Sequence, residues 1–429
     1  MSDEKFGLYV RGLSPAGVLR DEPEDGDEPV LTVRLSVDAT MEPQWEIVND
    51  RAQYPRAMSN RDRALFRVVR LGISAVRAVL DASYDRILVD EYQDCDLHQH
   101  ALVNVLSEQL PTIVFGDRMQ GIFGFRGNPS VSWERDVFPQ FPLVGTLTEP
   151  MRWRDTNPAL GAWIADVRGR LERGEAIDLT SAPSTFIPCQ DAFAMAPLFH
   201  SIDGAAGSAA AIHCRRDTCN QLARSTRGAY QAIEDIACVA LQQFAENWDR
   251  GAAADRAAVL RNVVKSAITA RPLDEGEDTS EDDARVVAEK EAAYADLQST
   301  GEAHHAVRAL NAIRRHSRAR TFRGELVRDT FRALSGVAEG RFASLAQSGF
   351  VVRQRVSHGG RLMPRRTVST PLLLKGLEFD HVVVPDATHF HAESDPGARA
   401  KLFYVAVSRA RSSLVLASSS PSVQFPYPG

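Results

Sequence analysis

The chain has 429 residues, 44% of them hydrophobic and 25% charged, which is length for two or three domains and the balance of a globular protein rather than a fibrous or disordered one. Its formal net charge of −6 excludes the overall basic signature of a simple DNA binder, so any phosphate contact must come from local arginine clusters. No apolar run approaches the ~20 residues that span a bilayer, and the opening MSDEKFGLYV has no signal-peptide layout, so a cytoplasmic protein with no membrane partner is expected. The five cysteines, Cys95, Cys189, Cys214, Cys219 and Cys238, form no CxxC pair and are expected as reduced thiols. His213, Cys214 and Cys219 lack the second ligand pair that a zinc site needs.

Residues 1–60 read as a separate, strand-containing segment. An acidic loop, Asp21 to Pro29, precedes LTVRLSVD, where Leu31, Val33, Leu35 and Val37 alternate with polar residues as in a half-buried strand. From Asn60 to Leu80 apolar residues recur at helical spacing (Leu65, Val68, Val69, Ile73, Val76). A first α/β domain is expected over 61–185: the strand Ile87-Leu88-Val89, a helix over about 97–109 with Leu97, Ala101 and Leu102 on one face, the strand Thr112–Asp117, and a helix ending near Gly174. The Ser, Pro and Thr-rich stretch Ser181 to Pro188 marks a boundary. Residues 186–250 open a second α/β unit, 251–345 read as a helical insertion with an acidic tip at Leu273 to Asp283, and 346–429 complete the second unit. There FVVRQRV, HVVVPDA and SSLVLASS read as strands, the last two central.

The chemistry-bearing stretch is RILVDEYQD, where Asp90 and Glu91 stand at the hand-over from strand to helix. At that edge of a doubly wound sheet an acidic pair holds a magnesium ion and orients a water. A second reading stays open, because carboxylates also favour the first turn of a helix through its dipole.

Taken in order, ILVDEYQD, VFGDRMQGIFGFRG (Val114 to Gly127), LTEPMRWRDTNPAL (Leu147 to Leu160), STPLLLKGLEFDHVVV (Ser369 to Val384) and LFYVAVSRARSSLVL (Leu402 to Leu416) resemble the later motifs of UvrD/Rep-type superfamily 1 DNA helicases. The resemblance implies two RecA-like parallel-sheet domains, the first incomplete, with a helical insertion in the second. It implies a 3′-to-5′ translocase on single-stranded DNA that uses ATP and Mg2+. Asp90 would hold the metal, Glu91 would orient the attacking water, and Gln120 would sense the γ-phosphate. Arg152 and Arg409 match positions that reach the γ-phosphate, with a surface salt bridge as the alternative for each. Gly376 and Glu378 match the turn that meets the ribose. Phe123 and Phe125 fall where rings stack under DNA bases, or else fill a core, and Arg126, Thr370 and Lys375 join them as DNA contacts. If the helicase assignment holds, Asp90, Glu91, Gln120, Arg152 and Arg409 are expected to face one cleft.

A motor of this kind also needs a loop GxxxxGK[ST] to cradle phosphates, and none occurs in the 429 residues. The only lysine before Asp90 is Lys5, whose context DEKFGLYV is not such a loop. Leu31 to Arg51 instead resembles a strand-rich segment of OLD-type, AAA-like ATPases. Three readings follow: a helicase relative impaired in ATP hydrolysis; a non-hydrolysing DNA-binding or protein-interaction subunit, with a partner ATPase or nuclease, in DNA repair or anti-phage defence; or a truncated or fused gene product. The insertion, under a hundred residues, is shorter than that of the best-known members, which bears on strand separation more than on strand binding.

Overall fold

A computed structural model of the chain describes four short strands before residue 56 and then residues 84–122, 131–181, 183–189, 204–235, 238–273, 279–359, 363–390 and 398–426, with isolated positions between. It divides into two units, Asp3–Glu149 and Pro150–Gly429.

The N-terminal unit is built on a four-stranded sheet. Its strands are β1 (Phe6–Leu8), β2 (Val30–Leu35), β5 (Arg86–Asp90) and β6 (Thr112–Val114), in the order β1-β2-β5-β6; β3 (Trp45–Val48) and β4 (Ala52–Pro55) form a separate antiparallel pair. β1 runs antiparallel to β2, and β2, β5 and β6 are parallel. Of the segment read as separate, β1 and β2 join this sheet: the register from Val30 opposite Arg86 to Arg34 opposite Asp90 sets β2 beside the strand that carries the acidic pair. The expected helix over Asn60 to Leu80 lies mostly outside the described residues. On β5, Ile87 and Val89 are fully buried while Asp90 is exposed, as the alternation of a strand requires.

The following helix, Leu97–Ser107, starts at an Asp96 capping box, in which the aspartate accepts from the amides of His98 and Gln99 and the Gln99 side chain returns to the Asp96 amide. Its inner face differs from the expected one. Leu102, Val103 and Leu106 are buried, whereas Leu97 and Ala101 are exposed. Tyr92 and Cys95 fill the space beneath the helix start, so the contact to the core begins a turn later than apolar spacing alone predicts.

In the C-terminal unit, β8 (Thr185–Pro188), β9 (Ala209–Ile212), β10 (Gln231–Ala232), β13 (Arg366–Ser369), β14 (Phe379–Val384) and β15 (Ala410–Ser418) form a six-stranded sheet in the order β10-β13-β9-β14-β15-β8, parallel throughout. Its central strands are nearly continuous apolar runs: all of β9, Val382 to Val384 and Leu414 to Ala417 are buried, as expected when both faces of a parallel sheet are covered. The stretch read as a boundary, Ser181 to Pro188, supplies the edge strand β8.

Residues 150–178 belong with this sheet rather than with the preceding unit. Trp153 Nε1 donates to the carbonyl of Ala410 (2.6 Å), Thr156 Oγ1 to that of Arg411 (2.9 Å) and Asn157 Nδ2 to that of Ser412 (2.8 Å). The helix Pro158–Arg173 has proline in its first turn, Asn157 as its N-cap and Gly174 at φ 67 as its C-cap. It buries Leu160, Trp163, Ile164, Val167 and Leu171 at helical spacing. After it, β7 (Ile177–Asp178) pairs antiparallel with β16 (Ser422–Val423).

The helical part is larger than the expected 251–345. Helices Val239–Arg250, Arg256–Ala267, Glu281–Thr300, Ala303–Arg315, Gly324–Ala338 and Leu345–Gly359 share one core that includes Leu241, Trp248, Leu260, Leu297, Leu310 and Leu334. Two three-residue strands, β11 (Ile268–Ala270) and β12 (Ala319–Thr321), pair antiparallel within it. FVVRQRV is not a strand: it lies in the last of these helices, where Leu345, Ser348 and Arg353 are buried and Val352 packs on the core. Packing at helical spacing overrides the β-propensity of the valines. No described helix is long and apolar enough to cross a membrane.

Buried ion pairs tie this helical body to the end of β10. Arg323 donates from Nε and Nη2 to the two carboxylate oxygens of Glu234 (2.6 and 2.7 Å), and Arg216 Nη2 adds a third contact at 2.9 Å. Arg353 Nη1 contacts Glu325 (2.9 Å) and Asp329 (2.6 Å), and its Nη2 reaches the carbonyl of Asp235 (2.9 Å).

Candidate functional site

The N-terminal unit gathers Asp90, Glu91 and Gln120 at the C-terminal ends of β5 and β6, with Gln93 and Asp117 between them. Glu91 stands in the left-handed region (φ 56, ψ 37), and its amide donates to Asp90 Oδ1 at 2.8 Å. A non-glycine residue held there costs ~1–3 kcal/mol and persists where the surroundings enforce it. Here the surroundings are visible. The amide of Tyr92 donates to the carbonyl of Phe115 (2.9 Å) and that of Phe115 to Val89 (2.7 Å), so β5 and β6 fix both sides of the turn. Gln93 Nε2 donates to Glu91 Oε2, and Gln93 Oε1 accepts from the amide of Asp117 (2.9 Å). Asp117 in turn accepts from the amide of Met119 and from Gln120 Nε2, each at 3.0 Å. Glu91 and Gln120 are thus the two ends of one hydrogen-bonded chain.

The helix-start reading of the pair does not describe this geometry. Asp96, six residues later, caps the helix, while Asp90 ends the strand and Glu91 precedes a short 3-10 turn, Tyr92–Asp94, without capping it. Gly116 lies against this chain: a Cβ there would stand 2.7 Å from the Trp133 ring and 2.9 Å from Gln93 Oε1. Gly116→Ala is expected to lower stability by ~1–3 kcal/mol in chemical denaturation; an unchanged midpoint would contradict the close approach.

The C-terminal unit brings together Arg152, Glu378, Gly376 and Arg409. Arg152 Nε donates to Glu378 Oε1 at 2.7 Å and its Nη1 to the carbonyl of Ser408 at 2.6 Å. Arg411 approaches Glu378 Oε2 at 3.7 Å. Gly376 adopts φ 77, a backbone that glycine takes without strain. Arg409 is 1% exposed. Its Nε donates to the carbonyl of Val405 (3.0 Å), Nη1 to that of Leu377 (3.3 Å) and Nη2 to Ser408 Oγ (3.0 Å). It binds the end of the helix Ala398–Val407 to the turn before β14.

Among the expected DNA contacts, Phe123, Phe125 and Arg126 lie outside the described residues. Thr370 is half-buried at the start of the short helix Pro371–Leu374, and Lys375, just after it, is 2% exposed. Of the cysteines, Cys219 is buried and its Sγ donates to the carbonyl of His213 (3.4 Å), with burial pushing its thiol up to about 12. Gln93, Asp117 and Ser408, which link these residues, are not among the expected site residues, although Gln93 and Asp117 stand in the polar signals YQD and FGD of the same motifs.

A family model described as the UvrD/REP helicase N-terminal domain matches residues 55–131, and one described as the UvrD-like helicase C-terminal domain matches residues 368–417. No curated protein matches the chain. The first match contains Asp90, Glu91 and Gln120 and the second Thr370, Lys375, Gly376, Glu378 and Arg409, while Arg152 of the second cluster lies outside both. Over these two stretches the chain is similar to UvrD/Rep-type superfamily 1 helicases.

Proposed function

We propose that this chain is a single-stranded DNA-binding member of the family that is impaired in ATP hydrolysis. The observation that carries the proposal is a mismatch within the sequence. Asp90, Glu91 and Gln120 stand together at the strand ends, where the resemblance would have them hold magnesium, water and the γ-phosphate, and no GxxxxGK[ST] loop occurs in the 429 residues. Asp90, exposed at a strand end beside an enforced Glu91 backbone, fits a ligand for hydrated magnesium. The sequence does not fit the triphosphate equally well, because it holds no GxxxxGK[ST] whose lysine and loop amides would neutralise and position it. Arg409 supports the same reading. Its guanidinium is enclosed in backbone contacts, so contact with a phosphate requires those contacts to break.

DNA binding rests on Phe123, Phe125 and Arg126 in the glycine-flanked stretch GIFGFRG. Stacking on an aromatic ring contributes ~1–3 kcal/mol per base, and the accompanying phosphate contacts weaken with salt. Fluorescence anisotropy with a labelled oligothymidylate at low salt is expected to show binding that weakens as salt rises. Phe125→Ala should reduce that affinity roughly 5- to 100-fold. Absence of binding at low salt, or binding indifferent to Phe125→Ala, would overturn this part of the proposal.

A further inference from the structure

We propose that the turn between the helices Glu281–Thr300 and Ala303–Arg315 is a site for a divalent transition-metal ion of the zinc type, with Glu302, His304 and His305 as ligands and Asp296 as a fourth. Carboxylate or imidazole atoms of Glu302, His304 and His305 all lie within 4.8 Å of one another. Glu302 Oε2 is 3.0 Å from His304 Nδ1, and Asp296 Oδ2 is 3.7 Å from His305 Nδ1. The two imidazole rings lie 3.8 Å apart between centroids. Tetrahedral zinc with ligands at ~2.0–2.1 Å sets neighbouring ligand atoms about 3.3 Å apart, so the Glu302–His304 pair already has that spacing, His305 closes on it by side-chain rotation, and Asp296, which lies near His305 alone, joins only if its side chain turns toward the ion.

The chemistry of the set selects the metal class. Two imidazoles with two carboxylates suit zinc, copper or nickel, whereas magnesium and calcium take oxygen ligands. Arg308 Nη1 now occupies the position of a cation, 3.1 Å from Asp296 and 3.4 Å from His305 Nδ1. Its side chain is 47% exposed, so it can swing into water when a metal arrives. The turn itself is fixed by Gly301 at φ 72 and by Arg256 Nη1 donating to the Gly301 carbonyl at 2.6 Å. Asp296 is in the last turns of one helix and both histidines are in the first turn of the next, so the ion clasps the helical hairpin. This inference is independent of the helicase reading.

The test is isothermal titration of the full chain with zinc chloride in excess Mg2+, which fills oxygen-only carboxylate sites. One equivalent of zinc is expected to bind. The affinity should fall at least tenfold in His304→Ala/His305→Gln, fall several-fold in Glu302→Gln, and hold in Cys189→Ser/Cys214→Ser, with circular dichroism unchanged in each. No zinc uptake by the natural chain, or uptake unaltered by the histidine and glutamate changes, would overturn the site.

Discussion

Replacing Arg323 by alanine is expected to lower the unfolding free energy by about 3–5 kcal/mol, because it leaves a buried carboxylate without its two-pronged partner. The side chain of Glu234 is 1% exposed and that of Arg323 is 8% exposed, and two hydrogen bonds of 2.6 and 2.7 Å join them. Arg216 remains as a contact in the variant at 2.9 Å but is itself a third exposed, so it replaces only part of the lost charge. Chemical denaturation measures the effect, and a loss under about 1 kcal/mol, the range of an exposed pair, would show that the pair is solvated. Exchanging both partners for apolar residues of similar volume, as in Glu234→Leu/Arg323→Met, should recover much of the loss, because no lone charge then stays buried.

The pH dependence of this pair follows from opposing influences on Glu234. Burial pushes its carboxyl up, but the hydrogen bonds and charge of Arg323, with Arg216, outweigh burial and hold it below the ordinary carboxylate range. A carboxyl lower in the folded than in the unfolded chain contributes stability that is fully present above the unfolded value, about 4.3 for glutamate. That contribution is lost as pH falls through the lower folded value. Arg323→Ala should therefore flatten the acid limb of the stability curve as well as lower its plateau.

Local chemistry was legible in the residues, and long-range pairing was not. The hand-over from strand to turn at Asp90-Glu91, the central strands β14 and β15, and the helix between Asn157 and Gly174 all announce themselves through alternation, apolar runs and caps. The placement of β2 beside β5 does not, because a parallel register between residues more than fifty positions apart leaves no periodic trace in either segment. Nor does the alliance of Trp153, Thr156 and Asn157 with the carbonyls of β15, where side chains meet a backbone about 255 residues away. FVVRQRV shows the opposite failure: a local preference for strand yields to a helical face supplied by Leu345 and Ser348.

At the candidate site, the motifs contain the residues of each cluster, but not the contacts that link them. The motif ILVDEYQD contains the hydrogen-bonded chain from Glu91 to Gln93, yet only the structure reveals that Asp117 completes it to Gln120. Arg409 resembles an exposed phosphate ligand in sequence and is enclosed in the fold, because Val405 and Leu377 present carbonyls where its fork can reach them. An arginine can satisfy such carbonyls while remaining charged, and this role leaves no mark on the sequence.

The central claim, a motor with its carboxylates but without its phosphate cradle, is tested most directly by phosphate release from Mg-ATP in the presence of single-stranded DNA. Removing one preorganised donor from a developing negative charge costs ~10²–10³ in rate. A phosphate loop supplies several donors together with a lysine, so its loss removes both positioning and charge neutralisation. The 429-residue chain is therefore expected to release phosphate at a rate indistinguishable from that of Glu91→Gln, with and without DNA. DNA-stimulated turnover that Glu91→Gln abolishes would contradict the account.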